Sequence, residues 1–226
     1  MPNYRVLEET ARLRRRKRRS AQRLYRRYKQ QVPALIRQLG TTQAAHDRAF
    51  DLLSKMGDIL VAELLEALAD PALDPIAADE VVSLLGAAGD QRAQTALWAF
   101  FEANRDDPER ASTAALSLAG LGDERVLPYV RTSLQARDEE LVSNAVASLI
   151  SLGKLEDVDR LRPVHLRFLG NRQIRMGVAS AILTILGEID EATMRQKMDE
   201  IEASPVDAGL WDDIWFILDQ QFGPGS

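Results

Sequence analysis

Five glycines, each four residues after a leucine, end apolar helical stretches at even spacing along this 226-residue chain. They are Gly57, Gly89, Gly122, Gly153 and Gly187, at intervals of 32, 33, 31 and 34 residues. The leucines are Leu53, Leu85, Leu118, Leu149 and Leu183. Eight residues before each glycine stands Ala49, Val81, Ala114, Ala145 or Ala179, and just before it Met56, Ala88, Leu121, Leu152 or Leu186. Offsets of one, four and eight fall on one stripe of an α-helix, so each segment reads as an amphipathic helix whose small residues admit a close neighbour. A period in this range marks stacked supersecondary units.

Glycine is the residue that enters the left-handed conformation past a helix end without strain. Asp58, Asp90 and Asp123 follow directly and are placed to cap a second helix. The second segments are also striped, with Val61, Leu64, Leu65 and Leu68 in one and Val126, Leu127, Val130 and Leu134 in another. Breakers separate the repeats at Asp70-Pro71, Asp74-Pro75, Asp106-Asp107-Pro108 and Ser204-Pro205. The expected fold is all-α: an α-solenoid, or superhelix, of about five helical hairpins. A terminal helix follows them and an N-terminal basic helix precedes them. Residues 1–40 form the basic arm in this reading and residues 41–226 the repeat domain.

The stretch from Asp107-Pro108 to Leu118, with Leu121-Gly122-Asp123 and Leu127-Pro128 after it, resembles the bacterial HEAT-like repeat, the short form shared with phycobilisome-lyase-type repeats. The resemblance spans residues 42 to 223. It implies the hairpin solenoid, and it implies function only broadly, because that family includes scaffolds, adaptors, chromophore lyases and DNA glycosylases. Family repeats often carry an arginine eleven residues before the glycine, which forms a polar ladder between neighbours. Here those positions hold His46, Ala78, Ala111, Val142 and Met176. Stacking is therefore expected to rest more on apolar packing, with no ladder-based ligand site.

The formal net charge of -5 hides a strong asymmetry. Residues 1–40 hold 13 basic and 2 acidic side chains, a net of +11, whereas residues 41–226 carry a net of -16. Arg12, Arg14, Arg15, Arg16, Lys17, Arg18, Arg19, Arg23, Arg26, Arg27 and Lys29 fall within 18 residues with no acid among them. Leu24, Tyr25, Tyr28, Val32, Leu35 and Ile36 keep helical spacing. The distal half is thus expected to dock while residues 12–19 stay solvated and cationic all round, with Pro33 bending or restarting the helix. Such density favours an anionic partner, whether nucleic acid, ribosome, anionic membrane or acidic protein surface. A flexible solubilising tail, or an arm folded onto the chain's own acidic body, is the alternative.

Two further surfaces qualify. Arg160, Arg162, Arg167, Arg172 and Arg175 lie in a stretch free of acids from residue 160 to 187. They form a second basic patch, or a solvated edge that balances Glu156, Asp157 and Asp159. Near the end, Trp211, Ile214, Trp215, Leu218 and Phe222 read as the first helix of a sixth repeat whose second helix is missing. Trp211, Trp215 and Phe222 then form either a docking face or the finish of the core.

Catalytic chemistry has little support. His46 and His165 are the two histidines and stand far apart in sequence, which favours neither a metal site nor a triad. No phosphate-cradling glycine loop is present. The chain has no cysteine, which excludes disulfides, thiolate ligands and a thiol nucleophile and fits a reducing cytoplasm. No apolar run approaches the length of a spanning helix, and no signal-peptide pattern follows the basic start. The expectation is a cytoplasmic, non-catalytic scaffold or adaptor without cofactor or metal. It would hold a protein on its repeat surface and an anionic partner on its arm. A HEAT-like DNA glycosylase and a bilin lyase are the alternatives.

Overall fold

The computed structural model describes the backbone of residues 4–222 and, within that span, the side chains of residues 12, 13 and 15–220. Every regular element among the described residues is helical, and helices pack against neighbours in sequence order, as in a solenoid. The chain divides into two compact units, residues 1–100 and 101–226.

The first unit contains α1 (Tyr4–Tyr28), α2 (Val32–Gln38), α3 (Gln43–Ser54), α4 (Val61–Leu68) and α5 (Pro75–Ala88), and α6 (Gln94–Ala103) begins in it. Pro33 sits in the first turn of α2, where its missing N–H costs nothing, so the proline restarts the helix after a short 3-10 turn at Lys29–Gln31. α2 packs against α3, α4 and α5 and buries Val32, Leu35 and Ile36. Leu53, Met56, Leu60, Val61, Leu64, Val81 and Leu85 complete this core, each 1% exposed or less. Every such side chain contributes about 1.5–3 kcal/mol by leaving water.

The second unit contains α7 (Pro108–Gly120), α8 (Leu127–Ser133), α9 (Glu139–Leu152), α10 (Leu155–Arg167), α11 (Arg172–Gly187), α12 (Glu191–Glu202) and α13 (Ala208–Phe222). α7 packs on α9, α9 on α11 and α11 on α13, while α8 lies against α9, α10 against α11 and α12 against α13. Asp107, Asp138, Asn171 and Asp190 each accept a backbone N–H at the start of the following helix, which explains why Asp or Asn stands before each of these helices.

The five glycines turn out to do different things. Gly57, Gly89 and Gly122 adopt positive φ, as a left-handed cap requires. Gly153 has φ -58° and ψ 145°, and needs no glycine for its backbone. Its requirement is space, because a Cβ there would collide with the Ile185 side chain and the Leu149 carbonyl. Gly187 is the last residue of α11, with nothing near a would-be Cβ. Asp90 and Asp123 cap as expected through the N–H groups of Arg92 and Arg125. Asp58 does not, because the 3-10 turn Gly57–Leu60 starts at the glycine itself and leaves no cap position at residue 58.

Polar rungs also join successive first helices, beside the apolar packing. Ser112 on α7 accepts from Asn144 on α9 at 3.1 Å, and Glu139 at the start of α9 accepts from Asn171 at 2.8 Å. His46, at the position eleven residues before Gly57, bridges α3 to Glu80 on α5 at 3.0 Å. Ala78, Ala111 and Val142 at the equivalent positions are buried, and Met176 is half-buried.

Candidate anion-binding surface

Arginine and lysine are good helix formers and no β-branched residue falls between 12 and 31, so propensity and local sequence agree on the helix of α1. Its second half is anchored. Ala21 is buried, Leu24, Tyr25 and Tyr28 are half-buried, and α1 packs on the 3-10 turn Gly57–Leu60. The Tyr25 hydroxyl donates to the Glu63 carboxylate on α4, a bond that raises the tyrosine pKa, with burial adding to the effect. The Arg27 guanidinium lies 5.4 Å from the Tyr28 ring centre and the Lys29 ammonium 5.9 Å from that of Tyr25. Both tyrosines thus serve to dock the helix and hold cations over their faces.

Residues 12, 13 and 15–20 are exposed. Arg12, Arg15, Arg16, Lys17, Arg18 and Arg19 all face solvent, as do Arg23, Arg26, Arg27 and Lys29 farther along. Leu13 is 54% exposed, so among the described residues no buried apolar stripe runs through 12–19. Among the described residues, no carboxylate lies within ion-pair distance of Arg12, Arg16, Lys17, Arg18, Arg19, Arg23 or Arg26. The side chains of Arg14 and Tyr4 lie outside the described residues.

The second basic set is arranged differently. Arg160 reaches Asp157 at 3.2 Å and the Glu156 carbonyl at 2.9 Å. Arg162 bonds Asp207 through Nε at 3.0 Å and lies 3.6 Å from Asp159. Arg167 donates to the Leu134 carbonyl and stacks 4.7 Å over Phe168. Arg175 meets Asp213 at 3.1 Å, and Arg172 lies over the Phe216 ring at 5.9 Å. Arg131, which the sequence did not single out, joins fully buried Asp157 at 2.8 Å, and that carboxylate also accepts the Lys154 N–H at 3.0 Å. His165 is buried, with Nε2 2.8 Å from Asp213. Much of this patch is tied into the fold as counter-charge.

On α13, Leu210 and Ile214 are the fully buried residues. Trp211 is half-buried and meets Trp215 edge-on at 5.8 Å, while Trp215 and the neighbouring Phe216 are 48% and 46% exposed. The side chain of Phe222 lies outside the described residues. Phe216 shares the exposed face with Trp215, although the sequence stripe had passed over it.

His46 is partly exposed, with Nδ1 3.1 Å from Asp47 and its ring stacked on Phe50 at 5.9 Å. Its hydrogen bonds to Asp47 and then Glu80 raise its pKa above the usual histidine value. Among the described residues, no group of three or more acidic or histidine side chains is placed to hold a metal ion, and no helix is long and apolar enough to cross a membrane. No family model matches the chain, and no curated protein is significantly similar to it.

Proposed function

We propose that this chain is a non-catalytic scaffold or adaptor of HEAT-like hairpins that works in the cytoplasm, grips a polyanionic partner with α1 and offers its helical repeats to a protein. The supporting observation is the set Arg12, Arg16, Lys17, Arg18 and Arg19 on α1, which is exposed and has no carboxylate in ion-pair reach among the described residues. Eleven cations in 18 residues repel one another, and neutralisation by an external anion relieves that repulsion. The helix is anchored at its far end, so such a partner would be held against a defined surface rather than on a loose tail.

The test is affinity capture with the full chain and with a variant in which Arg12, Arg16, Arg18 and Arg19 are changed to glutamine, at about 50 mM and about 200 mM salt. Partners of the arm are expected to disappear in the variant and at the higher salt, and partners of the repeats to persist in both. Identical captured sets from the two proteins at both salt levels would remove the arm from the reading.

A further inference from the structure

We propose that the groove between α1 and the end of α3 is a subsite for the sugar-phosphate backbone of a nucleic acid, and that it sets where the strand runs along the arm. This deepens the reading of α1 as a polyanion-binding helix and rests on it. The groove has a volume of about 740 Å³ and is lined by Lys17, Ser20, Arg23, Leu24 and Arg27 of α1 together with Ser54 and Lys55. That size is within the range of built ligand sites. Four cations and two hydroxyls line it and no carboxylate does. Lys55 is bonded at 2.6 Å to Asp51 one turn back, an exposed pair that holds the lysine weakly.

Residues 17, 20, 24 and 27 are spaced by three, four and three, so they make one continuous stripe of α1. The stripe is about 15 Å long at 1.5 Å per residue. One strand of a duplex presents about four phosphates over that length. Guanidinium forks and an ammonium suit phosphate oxygens, the serine hydroxyls donate to them, and Leu24 offers an apolar floor to the sugar. Contacts of this kind position a backbone without reading its bases.

Charge density selects nucleic acid over other polyanions. Eleven cations along 18 helical residues amount to about one per 2.5 Å, close to the one charge per about 1.7 Å of a duplex. An interfacial membrane helix needs a broad apolar face. Leu13 is the one large apolar side chain from residue 12 to 19, and beyond it Tyr25 and Tyr28 are half-buried, with Tyr25 bonded to Glu63. An acidic protein surface rarely sustains so high a density of one sign, because its own repulsion opposes folding.

The experiment is fluorescence anisotropy with the full chain against duplex DNA, duplex RNA and single strands of one sequence, with phosphatidylserine vesicles and polyglutamate alongside. Three variants are compared: Lys55→Glu, the groove set Lys17→Gln/Arg23→Gln/Arg27→Gln, and a control of equal charge, Arg12→Gln/Arg16→Gln/Arg19→Gln. The groove set is expected to weaken nucleic-acid binding by about tenfold or more and to reduce the slope of log affinity against log salt by about 3. The control set is expected to weaken binding less, and Lys55→Glu, which lies off the arm, to weaken it about fivefold with an unchanged melt. Equal losses from both triple variants, with Lys55→Glu silent, would overturn the groove and leave the arm standing. Arm-dependent binding to vesicles or polyglutamate in place of nucleic acid would overturn the choice of polyanion. Failure to bind any of these probes would remove both readings.

Discussion

The chain carries two dense arginine clusters, and the fold treats them in opposite ways. In the second unit Arg160, Arg162 and Arg175 each reach an aspartate, and Arg167 reaches a main-chain carbonyl. In the first unit Arg12, Arg16, Arg18 and Arg19 stand on exposed turns of α1 with no carboxylate in reach among the described residues. A run of arginines is therefore not itself a binding signal. What separates an interaction surface from a structural brace is whether the fold supplies the counter-charge, and the fold supplies it in the second unit.

This contrast can be broken from either side. The largest effect is expected at Asp157, which is fully buried and answers Arg131, Arg160 and the Lys154 N–H. Asp157→Ala removes the buried acceptor shared by half-buried Arg131 and by exposed Arg160 and Lys154, and should lower stability by about 3 kcal/mol in urea unfolding. A loss near zero would mean that the second cluster is as free as the first. Asp213→Asn keeps the shape but removes the charge shared by His165 and Arg175, and should cost about 2 kcal/mol by the same measurement.

A smaller effect belongs to His46, whose carboxylate partners raise its pKa. Because the folded value lies above the unfolded one near 6.5, its contribution is fully present below about pH 6.5 and is lost as pH rises through the folded value. The change should stay below about 1 kcal/mol at this partly solvated site. Urea titrations on either side of neutrality should show it in the wild type and not in His46→Gln. The smallest effect is expected from Arg12→Gln/Arg16→Gln/Arg18→Gln/Arg19→Gln, which should leave stability within about 0.5 kcal/mol. A clear loss would show that the arm braces the fold as the second cluster does.

Periodicity made the hairpins legible before any coordinates, because spacing along a helix is a local property. Leu53, Leu85, Leu118 and Leu149 are all buried as their offset from glycine implies. Leu183 departs from the series and is half-buried, while Ile182, Ile185 and Leu186 take the core. α11 continues through Gly187, so nothing at that glycine fixes the phase, and packing on α9 and α13 sets it instead. The division of α1 into an anchored part and a solvated stretch at residues 12–19 was equally visible, since half-buried Leu24, Tyr25 and Tyr28 follow turns whose one large apolar side chain is Leu13.

The counter-charges were not legible. Arg131 and Asp157 are 26 residues apart, Arg162 and Asp207 are 45, and His165 and Asp213 are 48. Pairs at such distances depend on which faces of successive hairpins meet, and an amphipathic pattern leaves the polar face unspecified. The groove was hidden for the same reason, because Lys55 joins it from beyond α3.

In the second unit α7, α9, α11 and α13 form a series in which each lies against the one before and the one after. Assembly of that half can spread hairpin by hairpin without closing a distant seam, which favours rapid folding. It also makes length an adjustable trait: a hairpin added or trimmed at the end disturbs one junction and leaves the others as they were.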